Sequence, residues 1–235
     1  EGCCYTTYGL RLVVYNRMIY FNRKIREDTM VDQFASITEL MEHTIEGKDW
    51  EIITTNRDSE ILVTAVHGGA IERGTSELAQ LIAEEGAFNY YTFKAIRRNH
   101  NDALHVTSSH FDELVLHDMV KNSSNVLSIH GCNGKHSKVY IGGQDQRLGQ
   151  RIEAQLRTLG VELEAAPAPI NGMSNDNFVN QGQTAQGVQL ELTVPLRKQF
   201  FNNGKYGLKD RENRDNWSAF MHQFAACIVK AMISS

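Results

Sequence analysis

From about residue 32 the apolar positions alternate between two periods, one suited to helices and one to strands. Phe34, Ile37, Met41 and Ile45 follow helical spacing behind Asp32, a helix-capping residue type, and Gly47 ends the run. "EILVTAV" (60–66) is short, apolar and rich in β-branched residues, as a strand covered on both faces would be. Thr75 and Ser76 open a helix bearing Leu78, Leu81 and Ile82, with Glu77 near its positive end and Gly86 closing it. Strands are predicted at "FNYYTFKAI" (88–96) and "ALHVTS" (103–108), then a short helix at 111–121. "NVLSIH" (125–130) and "KVYIGG" (138–143) read as further strands, followed by a helix near 145–159 that ends at Gly160. "VELEA" (161–165) and "GVQLELTV" (187–194) are later strands, and Trp217, Phe220, Phe224 and Ile228 line a final amphipathic helix. "ELMEHTIEGKDW" (39–50) reads in part as a connection, and 168–187 as a long loop of functional type.

Strands interleaved with helices predict an α/β fold: a mixed, mainly parallel twisted sheet flanked by helices. A chain of 235 residues can bury one substantial core, and no internal repeat is present. Residues 28–235 are therefore expected to form one domain, with 1–27 as an N-terminal extension. The net charge of -4 argues against a global field for nucleic acid or an anionic membrane. It is uneven, however: 1–27 carry a net +3, which leaves -7 for the rest. Of the four cysteines, Cys3 and Cys4 are adjacent while Cys132 and Cys227 are far apart, and no CxxC pair suggests a zinc ribbon or redox motif. "LRLVVYNRMIYF" is interrupted by Arg11, Asn16 and Arg17, so neither a signal peptide nor a membrane span is read there. A soluble protein is expected, made in the cytoplasm.

Chemistry concentrates where two apolar runs each stop on a histidine. "ILVTAVHGGAIERG" ends its run at His67, with Glu72 five residues on, across Gly68 and Gly69. "NVLSIHG" stops likewise at His130. Strand ends lie at the rim of an α/β sheet, where such folds bind ligands. A glycine turn lets His67 and Glu72 converge. His, Glu and His would hold zinc while leaving a fourth position open. The same letters also fit a buried histidine bonded to backbone and a solvated carboxylate at a helix entry. Nine histidines supply competitors. His105 and His110 could coordinate a metal, although "LHVTSSHFDE" reads better as second-layer or substrate contacts. His43, His117 and His222 fall within helical patterns, and His136 within a polar turn.

Several blocks in order, "DWEI…TNRDSEILVTAVHGGAIERGTSELA", "LHVTSSHFDE", "LSIHG" and "GVQLELT", resemble the poly-γ-glutamate hydrolases of bacteriophages and prophages of Bacillus-type hosts. The resemblance spans roughly 30–200 and excludes 1–27. It implies a zinc carboxypeptidase-like fold and a zinc ion held by His67, Glu72 and His130. It implies, too, that Glu191 is the carboxylate that activates the attacking water; read alone, Glu191 is an outward-facing strand residue between Leu190 and Leu192. One departure is Gln181, where a typical member would carry an arginine facing a substrate carboxylate.

The implied substrate is an anionic polyamide, so guanidinium groups near the site are candidates for contact. Arg73 follows Glu72 directly, and Arg97 and Arg98 are other candidates. Arg147 begins a helix after the Gly142–Gly143 turn and is assigned to oxyanion or substrate binding. Asn177, Asn180 and His105 are further candidates for substrate contact. The expected partner is poly-γ-glutamate, with no nucleic acid or membrane, and the chain is expected to act as a monomer. Competing readings are the same zinc machinery on a cell-wall peptide or acyl-amino acid, and a non-catalytic polyanion binder using the basic lead.

Overall fold

The computed structural model of the protein describes Asp32–Ser234. The extension read over 1–27, with Cys3, Cys4 and the interrupted apolar segment, lies outside the described residues. The described helices are α1 (Ile37–His43), α2 (Thr75–Gly86), α3 (Leu114–Lys121), α4 (Gln146–Arg157), α5 (Val194–Gln199), α6 (Leu208–Glu212) and α7 (Ala219–Ile233). The strands are β1 (Trp50–Thr55), β2 (Ile61–Gly69), β3 (Asn89–Ala95), β4 (Asn125–Cys132), β5 (Lys138–Gly142), β6 (Glu162–Ala165) and β7 (Val188–Thr193).

Among the described residues, seven strands join one sheet in the order β1-β3-β2-β4-β7-β5-β6. β3–β2, β2–β4, β4–β7 and β5–β6 pair in parallel, and β1–β3 and β5–β7 antiparallel. The mixed, mainly parallel α/β class expected from the alternating periods is what the chain adopts. Parallel neighbours bring the carboxyl ends of β2, β4 and β7 to one edge.

Period-2 alternation sorts the strand residues onto two layers. Val63, Ala65, Leu127, Ile129, Val188, Leu190 and Leu192 pack against α2, α4 and α7 through residues such as Leu78, Ile152 and Phe224. Leu62, Val66, Tyr91, Phe93 and Val126 face the other way, under α1, α3 and the loop residues Val106, Phe111 and Phe178. On that second face the central strands change character along their length. Beyond Val126, β4 presents Ser128 and His130, and β7 presents Gln189 and Glu191, all buried.

Two expectations require correction. The segment 103–108 is not a strand: short 3₁₀ turns cover Asn101–Leu104 and Ser108–His110. β3 already pairs with β1 and β2, and β2 with β3 and β4, so neither offers a free edge; Leu104 and Val106 still bury their side chains. The first helix begins at Ile37, because Ser36 Oγ accepts from Glu39 N at 3.2 Å and caps it there. The connection read in part of 39–50 is found at 44–49, and it leads into β1, an edge strand that the sequence reading missed because its mixed polarity hides its period. The helices α5 and α6 also carry too few turns to show a repeat.

β2 contains a shift of register: Ala65 pairs with Thr92, but Gly68 pairs with Lys94, so β2 holds one residue more than its partner. Such a bulge lets consecutive side chains share a face. Val66 packs in the second layer, and His67 stands on the same side, beside His130. The following turn depends on Gly69, at φ +67°, where a Cβ would lie 2.3 Å from Ala95 O. Gly47 has a comparable φ of +76° with nothing within 4 Å. Gly47→Ala should therefore cost about 1 kcal/mol in urea titration. Gly69→Ala should cost more than about 3 kcal/mol, since backbone overlap adds to the dihedral strain. Equal losses would mean that the Ala95 backbone yields freely.

Candidate metal centre

The bulge, the glycine turn and the β2–β4 pairing bring three side chains together. His67 Nδ1 lies 3.0 Å from Glu72 Oε1 and 3.1 Å from His130 Nδ1, and His130 Nδ1 lies 3.7 Å from Glu72 Oε2. All three residues are buried. The turn is held by Glu72 N donating to His67 O at 2.9 Å and by Thr75 Oγ1 donating to Glu72 O at 2.8 Å. Glu72 Oε2 accepts from Gly131 N at 2.7 Å, which ties the turn to the end of β4.

Protonation decides what this cluster can bind. His67 Nε2 faces Val106 O at 2.8 Å, and a carbonyl accepts only, so Nε2 carries a hydrogen. In the neutral ring Nδ1 is then a bare acceptor, directed at a carboxylate oxygen and at another imidazole nitrogen. Burial pulls the His130 pKa down to about 3 despite the nearby Glu72 carboxylate, so that ring is neutral at physiological pH. Burial opposes ionisation of Glu72, but a proton on His67 supplies a charge and a hydrogen bond that, with lesser contributions from His130 and His105, outweigh it and hold the Glu72 pKa low. Acceptors this close in a dry site need a proton or a cation among them. Tetrahedral zinc, with donor distances of about 2.0–2.2 Å, would set ligand atoms roughly 3.4 Å apart. The observed separations suit that geometry, and the donor set of imidazole nitrogen and carboxylate oxygen suits zinc.

His105 crowds the same place. Its ring centroid is 4.0 Å from that of His67, and one donor atom each of His67, Glu72 and His105 lie within 4.8 Å of one another. His130 approaches His67 and Glu72 from β4, with its Nδ1 3.1 Å from His67 Nδ1 and 3.7 Å from Glu72 Oε2. Ser108 Oγ is 3.4 Å from His130 Nε2 and braces that ring from the same loop.

Glu191 lies on the next strand, opposite His130 in register, on the same face. Burial and the Glu72 charge push its pKa well above the usual carboxylate range. Gln189 Nε2 donates to Glu191 Oε1 at 3.0 Å. Arg73 is exposed directly after Glu72, with its guanidinium carbon 6.0 Å from the Tyr206 ring centre. Arg147 is not brought to the cluster. It is exposed in the first turn of α4, whose buried residues Leu148, Ile152 and Leu156 pack on the opposite side of the sheet. Asn180 is spent on its own loop, with Oδ1 accepting from the Gln144 and Gly187 amides and Nδ2 donating to Gly172 O and Ser174 O. Asn177 donates to Gln189 Oε1 at 3.0 Å. Gln181 donates to Asn175 O and Asp176 O, and with His110, Asp112 and His117 it lines a cavity of 380 Å³.

Two buried residues escaped sequence reading. Gln189 stands two positions before Glu191, so its face was legible from the strand period. Arg197 carried no signal. Its Nε donates to Leu192 O at 3.0 Å, Nη1 to Arg73 O at 2.8 Å and Nη2 to Cys132 O at 3.3 Å. One guanidinium thereby clamps the ends of β7 and β4 to the Glu72 turn.

An α/β sheet with imidazole and carboxylate donors gathered at its carboxyl edge is an arrangement that could hold a metal ion at the rim where such folds bind ligands. The chain belongs to the poly-γ-glutamate hydrolase family, whose pattern it matches over residues 34–225. It is 28% identical over 224 residues to YmaC of Bacillus subtilis (strain 168), covering 94% of each chain. It is 32% identical over 187 residues to YndL of the same organism, covering 79% of this chain and 72% of YndL. The structure of a bacteriophage poly-γ-glutamate hydrolase superposes with a TM-score of 0.82 at 28% identity, covering 86% of this chain and 97% of the other. YndL in its zinc-free apo form gives a TM-score of 0.80 at 28% identity, with 86% and 98% covered.

If His130 is a ligand and His105 only a neighbour, His130→Ala should weaken zinc binding by far more than about 100-fold. His105→Ala should weaken it by no more than about 10–100-fold, the effect usual for an outer group. Competition with a chromogenic chelator reads both. The reverse ranking would assign the third ligand to His105.

Proposed function

We propose that this chain is a zinc-dependent hydrolase that cleaves the γ-glutamyl amide bonds of poly-γ-glutamate, the task of a phage enzyme facing a host capsule. The observation that carries the reading is the gathering of His67, Glu72 and His130 beside Glu191 in a chain of this family. In it, 28–235 is the catalytic unit and 1–27 an appended extension.

His67, Glu72 and His130 would hold the zinc ion, which when bound supplies Lewis acidity to the substrate carbonyl and acidifies water. The protein's residues do the rest. Val106 O fixes the His67 tautomer and Gly131 N fixes the Glu72 carboxylate, so the donor atoms are preset. Glu191 takes a proton from the attacking water and returns it to the departing amine nitrogen as the C–N bond breaks. A raised pKa makes the carboxylate a stronger base, which suits a group that must accept a proton and then release it. Arg73, exposed and next in sequence to Glu72, offers a guanidinium to a substrate carboxylate. Gln181 is neutral and bonded to its own loop, so recognition of charge falls to Arg73, with His105 a further substrate contact.

Purified protein should shorten poly-γ-glutamate, and a chelator should stop it, with zinc restoring activity. Glu191→Gln should keep about one zinc per chain while turnover falls by roughly 10²–10⁴-fold. Product size by gel filtration, with metal analysis of the same sample, checks both. Preserved turnover in Glu191→Gln removes Glu191 from the chemistry, and no shortening under any condition removes poly-γ-glutamate as substrate.

A further inference from the structure

The buried polar groups between the long 166–187 segment and β7 form a directed chain. Val179 N donates to Asn177 Oδ1 at 3.1 Å, so Asn177 Nδ2 is the end that faces Gln189 Oε1, at 3.0 Å. With its oxygen occupied, Gln189 turns Nε2 to two acceptors, Glu191 Oε1 at 3.0 Å and Ile170 O at 3.2 Å. Gly172, at φ +61°, closes against the same amide: a Cβ there would lie 2.9 Å from Gln189 Oε1. Reversing Gln189 would set its oxygen against a carboxylate and a carbonyl, and its amino group against another amino group. A backbone amide in the loop therefore dictates which end of Gln189 reaches Glu191. Asn177, Gln189 and Glu191 are each about 5% exposed or less, so water has little access to compete.

We propose that Gln189 and Asn177 are positioning residues for Glu191: Gln189 engages Oε1 and leaves Oε2 as the oxygen that exchanges the proton with water and amine. This rests on the proton-transfer role of Glu191 given above. It transfers Asn177 from substrate contact to orientation. It also gives the loop a function, because Ile170, Gly172 and Asn177 all act on one side-chain amide.

Asn177→Asp keeps the acceptor for Val179 N but cannot donate to Gln189 as a carboxylate. Gln189→Met fills the volume without an amide. Each should lower kcat by about 10–100-fold, with KM and zinc content within about twofold of the parent, the signature of an interaction made in the transition state. In a Glu191→Gln background neither substitution should lower the residual rate further, because a positioning residue has nothing left to position. A residue that merely supports the fold would act equally in both backgrounds. Unchanged kcat in both variants, or equal losses with and without Glu191, overturns the proposal. Should Gln189→Met not fold, Asn177→Asp decides by the same two readouts. Full turnover in Glu191→Gln alone would overturn the role of Glu191 and the relay together. Loss of turnover in Glu191→Gln with normal kcat in both relay variants overturns the relay alone.

Discussion

Burying the Glu72 carboxylate against two imidazoles is electrostatically costly unless positive charge shares the space. The surroundings of Glu72 commit the chain to that arrangement. Its backbone is pinned to His67 O, one oxygen is taken by Gly131 N and the other faces His67 Nδ1. His67 is committed in turn by Val106 O, which leaves its remaining nitrogen nowhere else to point. A cation among these atoms turns mutual repulsion into ligation. Without one, a proton must do the same work with fewer bonds.

The sheet exists in the form that makes this possible. Parallel β2, β4 and β7 place their carboxyl ends side by side, and their alternation buries leucine and isoleucine on one layer while turning Ser128, His130, Gln189 and Glu191 to the other. The bulge at Ala65–Gly68 adds His67 to that polar face. Arg197 then locks the three segments through their carbonyl groups. Its positive charge also offsets part of the negative charge of Glu72 and Glu191, and works against the rise in the Glu191 pKa. Beyond the cluster, the amide chain from Val179 to Glu191 extends the same logic: each polar group is oriented by one whose own direction is already settled.

Much of this was legible in the residues. β2 and β4 announced themselves by β-branched runs ending on His67 and His130, and Gly68–Gly69 told that the chain must turn tightly before Glu72. Other parts were not. Nothing in "ALHVTS" reveals that the neighbouring strands already have both edges filled, so its alternation misleads. The bulge has no letter of its own, yet it decides the face of His67. Arg147 looked suited to the site because it follows a glycine turn, whereas the apolar period of its helix, Leu148, Ile152 and Leu156, assigns that helix to the opposite layer. Asn177 and Asn180 looked like substrate contacts because polar loops so often supply them; their hydrogen bonds, invisible in sequence, direct them inward.

The central claim is that one divalent cation is shared by His67, Glu72 and His130. Anomalous diffraction at the zinc edge, on crystals of the zinc-loaded protein, tests it most directly. The account predicts a single strong peak within about 2.0–2.2 Å of His67 Nδ1, His130 Nδ1 and a Glu72 oxygen. A peak bound by His105 in place of His130, or lying away from these residues, would contradict it.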